Sequence, residues 1–195
     1  MILSDKIKKL IMSQEILSKL SVNHIDDLSS SRNEPDWLKD YRKNSLSIYV
    51  DMPIETSPLY NKYTDAKKMS PSKVSLSTST TQTIPKFLEK RLGELENEIC
   101  IIQIGTNIYK INLPDDLKSK GLVISSISDA IKNDSELVKK SLEASNSKED
   151  KFTALNNAAF NSGIFIHIPR NLVVEKPIHF MICLSDDGHS TISRN

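Results

Sequence analysis

The side chains in this sequence best suited to chemistry are Cys100, Cys183, His179 and His189, followed by Arg42, Asn156, Trp37 and the run Asp186-Asp187-Gly188. A thiolate with two imidazoles can hold iron or zinc, so His179, Cys183 and His189 are the first set to weigh. If Ile178, Phe180, Ile182 and Leu184 point inward on a strand, then His179, Met181 and Cys183 share its outer face. His179 and Cys183 then stand two pleats apart, too far for one ion. No CxxC-type spacing accompanies them, and no carboxylate is evident in a position to orient the imidazoles. Surface or interface packing is the expectation there. Cys100 sits in an apolar run, where a free cysteine behaves as a small hydrophobe. Asp186-Asp187-Gly188 lacks the twelve-residue calcium pattern and reads as a turn.

Trp37 has the chemistry of a docking anchor, yet it shares a helical face with Tyr41, which points to packing within the amino-terminal region. Arg42 follows Leu38 by one turn and lies near Asp36 and Asp40, so local ion pairs are expected, worth ~0–1 kcal/mol if exposed. Asn156, on a helix next to the first later strand, is read as a structural residue that hydrogen-bonds exposed backbone there. No GxSxG, HExxH or motif-placed carboxylate pair is present, and none of the five glycines builds GxGxxG or GxxxxGK[ST]. No catalytic, cofactor-binding or metal-ligating residue is therefore assigned, and an enzyme working alone is not expected.

The elements that would carry these residues follow from periodicity. Ile7, Leu10, Ile11, Leu17 and Leu20 recur at helical spacing behind Ser4 and Asp5. A second helix is predicted from Asn33, with Glu34 and Pro35 in its first turn and Trp37, Leu38, Tyr41 and Ser45 on one face; Met52-Pro53 ends it. The polar stretch Ser70–Thr83 reads as a loop or linker, having too little apolar surface to offset its ordering entropy. Ile99–Ile104 and Ile108–Leu113, separated by Gly105-Thr106-Asn107, predict a hairpin. Leu122–Ile124 predicts a short strand, and helical spacing returns at Ile127, Ala130 and Ile131 and at Leu137, Val138 and Leu142. Lys151–Asn161 predicts a helix with Phe152, Leu155, Ala159 and Phe160 on one side and Gly163 as its carboxyl cap. From Ile164 the period is two: strands are predicted at Ile164–Ile168, Leu172–Val174 and Ile178–Leu184. Nothing closes the resulting sheet, so either the polypeptide is truncated or another chain supplies the next strand.

Composition sets the outer bounds. The chain has 195 residues, 38% hydrophobic, with 26 Lys and Arg against 25 Asp and Glu. That balance excludes a phosphate-driven nucleic-acid binder. No apolar run reaches the ~20 residues of a membrane span, and Asp5 interrupts what a signal peptide would need, so a cytoplasmic protein with two reduced thiols is expected.

Several segments together carry a resemblance. Glu34-Pro35-Asp36-Trp37-Leu38 with Arg42, then Lys151-Phe152-Thr153-Ala154-Leu155-Asn156, Gly163-Ile164-Phe165-Ile166-His167-Ile168-Pro169-Arg170 and Pro177-Ile178 resemble, in order and spacing, the SufB/SufD family of iron–sulfur cluster assembly proteins. The hairpin at Ile99–Leu113 and the Gly121-Leu122-Val123-Ile124 strand leading to Ala130 look more like the SufD branch. Around Tyr60–Asp65, Tyr60-Asn61-Lys62 stand where the family often has a tryptophan before Tyr-Thr-Asp.

The resemblance implies an α+β fold: a helical amino-terminal domain, then a right-handed parallel β-helix of which only the first rungs fall within this chain. The segments are residues 1–69, an amino-terminal helical region; 70–86, a Ser/Thr-rich linker or loop; 87–150, a mixed α/β segment with the hairpin; and 151–195, a helix and the start of the β-helix core. It further implies a scaffold role in SUF-type cluster assembly beside a SufC-like ABC ATPase and a SufB-like paralogue or a second copy of the chain, without nucleic acid or membrane. The family's ATPase-docking segment and its cluster-related cysteine, histidine and acidic residues would lie beyond Asn195. This segment is thus expected to bind neither the ATPase nor a cofactor, the iron–sulfur cluster belonging to the full complex. Two rivals stand beside this reading: a carbohydrate-active β-helix enzyme with a helical cap, and a structural adaptor whose β edge pairs with another chain. An enzyme would cluster acids on one β face, whereas these strands offer mostly apolar residues with His167, His179 and Glu175.

Overall fold

The computed structural model describes residues 20–53, 75–76, 84, 86–183 and 189–195. Its elements in chain order are α1 (Val22–Ser31), α2 (Asp36–Asp51), β1 (Ser75–Leu76), α3 (Lys86–Glu94), β2 (Ile99–Ile104), β3 (Asn107–Asn112), α4 (Asp115–Ser119), β4 (Val123–Ser126), α5 (Ile127–Asn133), α6 (Ser135–Glu143), α7 (Lys151–Ala159), β5 (Ser162–His167), β6 (Ile178–Cys183), β7 (His189–Ser190) and β8 (Ser193–Arg194). The helix expected at Ile7–Leu20 lies outside the described residues save Leu20. So does most of the Ser70–Thr83 stretch, which contributes the short strand β1 where it is described. The chain divides into two compact units, residues 1–75 with 139–160, and residues 76–138 with 161–195.

The first unit is helical. The sequence reading missed α1, whose apolar content is slight; Ile25 and Ser29 are its buried residues. It closes on Asn33, whose left-handed backbone (φ 52) suits an asparagine, with the Asn33 and Glu34 amides donating to the Ser30 and Ser29 carbonyls. Glu34 precedes a proline, which disfavours helical backbone, so α2 starts at Asp36 with Pro35 outside it. The buried stripe of α2 is Leu38, Arg42, Ser45, Leu46 and Tyr49; Trp37 and Tyr41 flank it, half-buried. α2 packs on α7, whose small residues Ala154 and Ala158 are fully buried. Phe152, expected on that packed side, is exposed, because the stripe runs through Lys151, Ala154, Leu155 and Ala158 instead.

The second unit is built on two three-stranded sheets, β3-β2-β6 and β4-β5-β8. The predicted hairpin is present, antiparallel, turning on Gly105 (φ 59) and Thr106. β2 is buried along its whole length because both of its faces are covered. Ile99 and Ile101 pack with Leu122, Ile124 and Ile164 of the other sheet region, while Cys100, Ile102 and Ile104 face Leu88, Leu92 and Leu95 on and after α3. In each sheet one pair is parallel: β2 with β6, and β5 with β8.

Three local expectations need correction. Leu172–Val174 forms no strand; Leu172 and Val174 lean on the core while Val173 is exposed. Gly163 does not cap α7, which ends at Phe160 with extended backbone. It lies inside β5 at φ 152, where a Cβ would sit 1.9 Å from the Arg194 carbonyl oxygen, so glycine admits β8 at close range. On β6, Ile178 packs on the core of Ile99 and Ile101 as expected, but beyond it the faces are reversed. Met181 and Cys183 pack with Leu88 and Ile104, whereas Phe180 and Ile182 are 51% and 44% exposed. α3 covers the face that the sequence reading had taken as the outer one.

Candidate functional site

The first unit holds a buried ionic centre. The Arg42 Nε and Nη2 donate to the two carboxylate oxygens of Glu34, each at 2.8 Å, and Nη1 donates to the Ala158 carbonyl at 3.1 Å. Its guanidinium also lies 3.8 Å from the Phe160 ring centroid. Arg42 is fully buried and the Glu34 side chain is 5% exposed. The expected exposed pairing with Asp36 or Asp40 is thus replaced by a bidentate pair with Glu34, made possible because the backbone ahead of Pro35 turns the glutamate back along α2. Burial holds the nearby Arg32 guanidinium below its ordinary range, with Glu34 opposing that effect.

A buried lysine joins two helix ends. Lys151, at the start of α7, is buried, and its Nζ donates at 2.6 Å to the carbonyls of Tyr49 and Met52 at the end of α2. The preceding Asp150 caps α7, its Oδ1 accepting the Phe152 and Thr153 amides and its Oδ2 the Thr153 hydroxyl. Partial burial opposes the charge on Asp150, but the Thr153 and Phe152 donors outweigh it and hold the carboxyl below its ordinary range. Lys151 thus ties the start of α7 to the end of α2, while Asp150 closes the first turn of α7.

Asn156 is half-buried on α7, its carbonyl accepting the Phe160 amide. The next residue, Asn157, is the fully buried one, its Nδ2 donating to Ser147 Oγ at 2.8 Å, with Ser147 Oγ 3.2 Å from Ser45 Oγ. Sequence reasoning missed Asn157, Lys151 and the buried Gln103, whose Nε2 donates to the Gly105 carbonyl. The signal available was only that each sits at a core position of its element's period.

In the second unit the cysteines lie on one face of the first sheet without meeting. Cys100 pairs in register with His179, and Cys183 with Ile104, which separates the two thiols by about 13 Å along the strands. Cys100 is packed beside Leu95 and Ile102, its Sγ 3.8 Å from the Leu95 carbonyl oxygen. His189 lies in β7, and Asp186-Asp187-Gly188 is outside the described residues. Among the described residues no group of three or more His, Cys, Asp and Glu is arranged to hold a metal ion. None of their helices is long and apolar enough to cross a membrane.

With this geometry in place, comparison with known proteins is specific. The family model of the SufBD protein N-terminal region matches residues 31–180. The iron–sulfur cluster assembly protein SufD of Bacillus subtilis (strain 168) is 30% identical over 169 residues, 83% of this chain and 38% of the relative. An iron–sulfur cluster assembly SufBD family protein of Staphylococcus aureus (strain USA300) is 25% identical over 187 residues, 90% of this chain and 40% of the relative. The chain therefore spans about two-fifths of the length of the curated relatives it matches. The matched stretch runs from the residues that close α1, through the Glu34–Arg42 pair and the Asp150–Lys151 helix caps, into β6, and on it the chain belongs to the SufBD family of iron–sulfur cluster assembly proteins, whose amino-terminal region it carries.

Proposed function

We propose that the chain is a scaffold component of a SUF-type iron–sulfur assembly complex, working in the cytoplasm with an ABC-type ATPase and with a SufB-like paralogue or a second copy of itself. The observation that carries this reading is the family match over residues 31–180, joined to the 30% identity with the Bacillus subtilis SufD. In this reading the cluster is cargo of the assembled complex, no residue of this segment ligates it, and the segment contributes no catalysis of its own. The placement of the polar groups supports that division: Arg42, Glu34, Asp150 and Lys151 are each engaged by helix ends or by one another.

The same proposal takes β5, β6 and β8 as the opening coils of a parallel β-helix. Support comes from the order of the strands: β6 lies parallel beside β2 in one sheet and β8 parallel beside β5 in the other, so the chain returns to each sheet with a parallel strand. β8 is clamped there by the Ile192 amide donating to Asn161 Oδ1 at 2.8 Å and the Ile164 amide donating to Asn195 Oδ1 at 3.1 Å.

The direct test is a chimera in which this chain replaces the matching segment of the Bacillus subtilis SufD, expressed in cells depleted of the native protein. Restored iron–sulfur enzyme activity and co-purification of the ATPase with the chimera are expected. A soluble chimera that restores neither would overturn the proposal.

A further inference from the structure

We infer that β3, α4 and β4 form an end cap, a device that closes one side of both sheets against any further strand, so that strands are added on the opposite side alone. In the first sheet β3 runs antiparallel to β2, while β6 lies parallel on the far side of β2. The second sheet repeats the arrangement, with β4 antiparallel to β5 and β8 parallel on the far side. The two antiparallel strands are consecutive in the chain, are joined through α4 and lie against each other. They therefore end the two sheets on the same side.

The connection between them closes the core there as well. Leu113 and Leu117, before and on α4, pack with Ile108 of β3 against the buried cluster that holds Ile101, Leu122 and Ile124. A sheet edge offers backbone groups to any strand that arrives, and native proteins blunt such edges with bulges, charged side chains or short strands. β3 carries a bulge and a charge: its register with β2 shifts between Ile102 and Gln103, leaving Tyr109 as the extra residue beside Lys110. The same bulge lets Ile108 and Ile111, three residues apart, pair with Gln103 and Ile101, which share one face of β2. β4 is blunted by its length of four residues and by passing directly into α5, whose N-cap is its last residue, Ser126.

Such a cap has a purpose, because a molecule whose sheets are open on two sides adds to its copies by contacts that do not close on themselves. One blunted side ends that growth. The inference uses only the strand pairing among the described residues, so it stands or falls apart from the β-helix proposed above.

The test restores a flat, uncharged edge at β3 alone. Deleting Tyr109 leaves Ile108 and Ile111 two apart and so on the same face, and Lys110→Val removes the charge. In sedimentation velocity between about 1 and about 200 µM, the weight-average mass of this double variant is expected to climb past about twice that of the parent. Lys110→Glu, with the bulge kept, should sediment as the parent does. A double variant with a parent-like circular-dichroism spectrum and parent-like sedimentation would overturn the inference, as would equal association of Lys110→Glu. Hydrogen exchange of the parent supplies a reading that needs no variant to fold. The β3 amides that point away from β2 should exchange with little protection at every concentration. Protection that grows with concentration would mean that β3 pairs with another chain, and constant protection would mean that this chain covers it; either result would also overturn the inference.

Discussion

Arg42 illustrates how a charged residue becomes structural. Its guanidinium has left water entirely, and what offsets that desolvation is the bidentate Glu34 carboxylate, the Ala158 carbonyl and the Phe160 ring. Removing one partner strands the other, so Arg42→Met is expected to cost ~3–5 kcal/mol in urea denaturation. The double variant Arg42→Met with Glu34→Gln should recover part of that loss, because the isolated carboxylate is gone. Equal and additive losses would show that the two side chains act separately. Asp150 acts on a smaller scale: Asp150→Ala should cost ~1 kcal/mol through loss of the α7 cap. Its folded carboxyl is held below the ordinary 3.8, so the ionised form favours the folded state. That contribution is present above the ordinary carboxylate range and lost as pH falls through the depressed folded value. A denaturation series from pH 6 to pH 2 should therefore show the difference between parent and Asp150→Ala shrinking at the acid end, as the linkage requires.

At the level of elements, β6 separates pattern from placement. Alternation along Ile178–Cys183 is real, but a period of two says only that there are two faces and not which one is covered. α3 decides the matter by laying Leu88 and Leu92 over Cys183, Ile104 and Met181. Cys183→Ser therefore buries a hydroxyl among aliphatic groups and is expected to cost ~1–3 kcal/mol. Ile182→Ser, one residue away on the exposed face, should change stability by ~0.5 kcal/mol or so. The reverse order in thermal denaturation would mean that α3 covers the other face. Gly163 is not the helix cap that the sequence predicts; glycine is required there because Arg194, 31 residues later, packs against it.

For the whole molecule, the first unit joins segments far apart in sequence, with α2 packed on α7 across the intervening strands of the chain. Most helical stability comes from such packing, and a 16-residue helix in isolation is marginal. A peptide of residues 20–53 should accordingly show little helix and no cooperative melt by circular dichroism. A cooperative transition there would place the stability of α2 within its own segment. The separation of Cys100 from Cys183 has a consequence at the same scale. Anaerobic treatment of the chain with iron and sulfide should leave no stable cluster absorbance after desalting, since neither thiol stands near the three or four ligands such a site needs. A retained cluster that disappears in Cys183→Ser would assign a ligand role to that residue.

The sequence by itself determined the local elements whose signals are local: the hairpin around Gly105-Thr106-Asn107, the helix stop at Met52-Pro53, the change to strand periodicity from Ile164, and the motif segments that place the chain in its family. Only the tertiary structure decided which faces are buried and which partners meet. Glu34 and Arg42 look like ordinary surface charges until the backbone before Pro35 aligns them and Phe160 covers them. Lys151 looks like a solvated helix start until the end of α2 arrives beside it. The physical reason is common to both: periodicity and propensity act within a few residues along the chain, whereas desolvation of a side chain depends on what a distant segment lays over it.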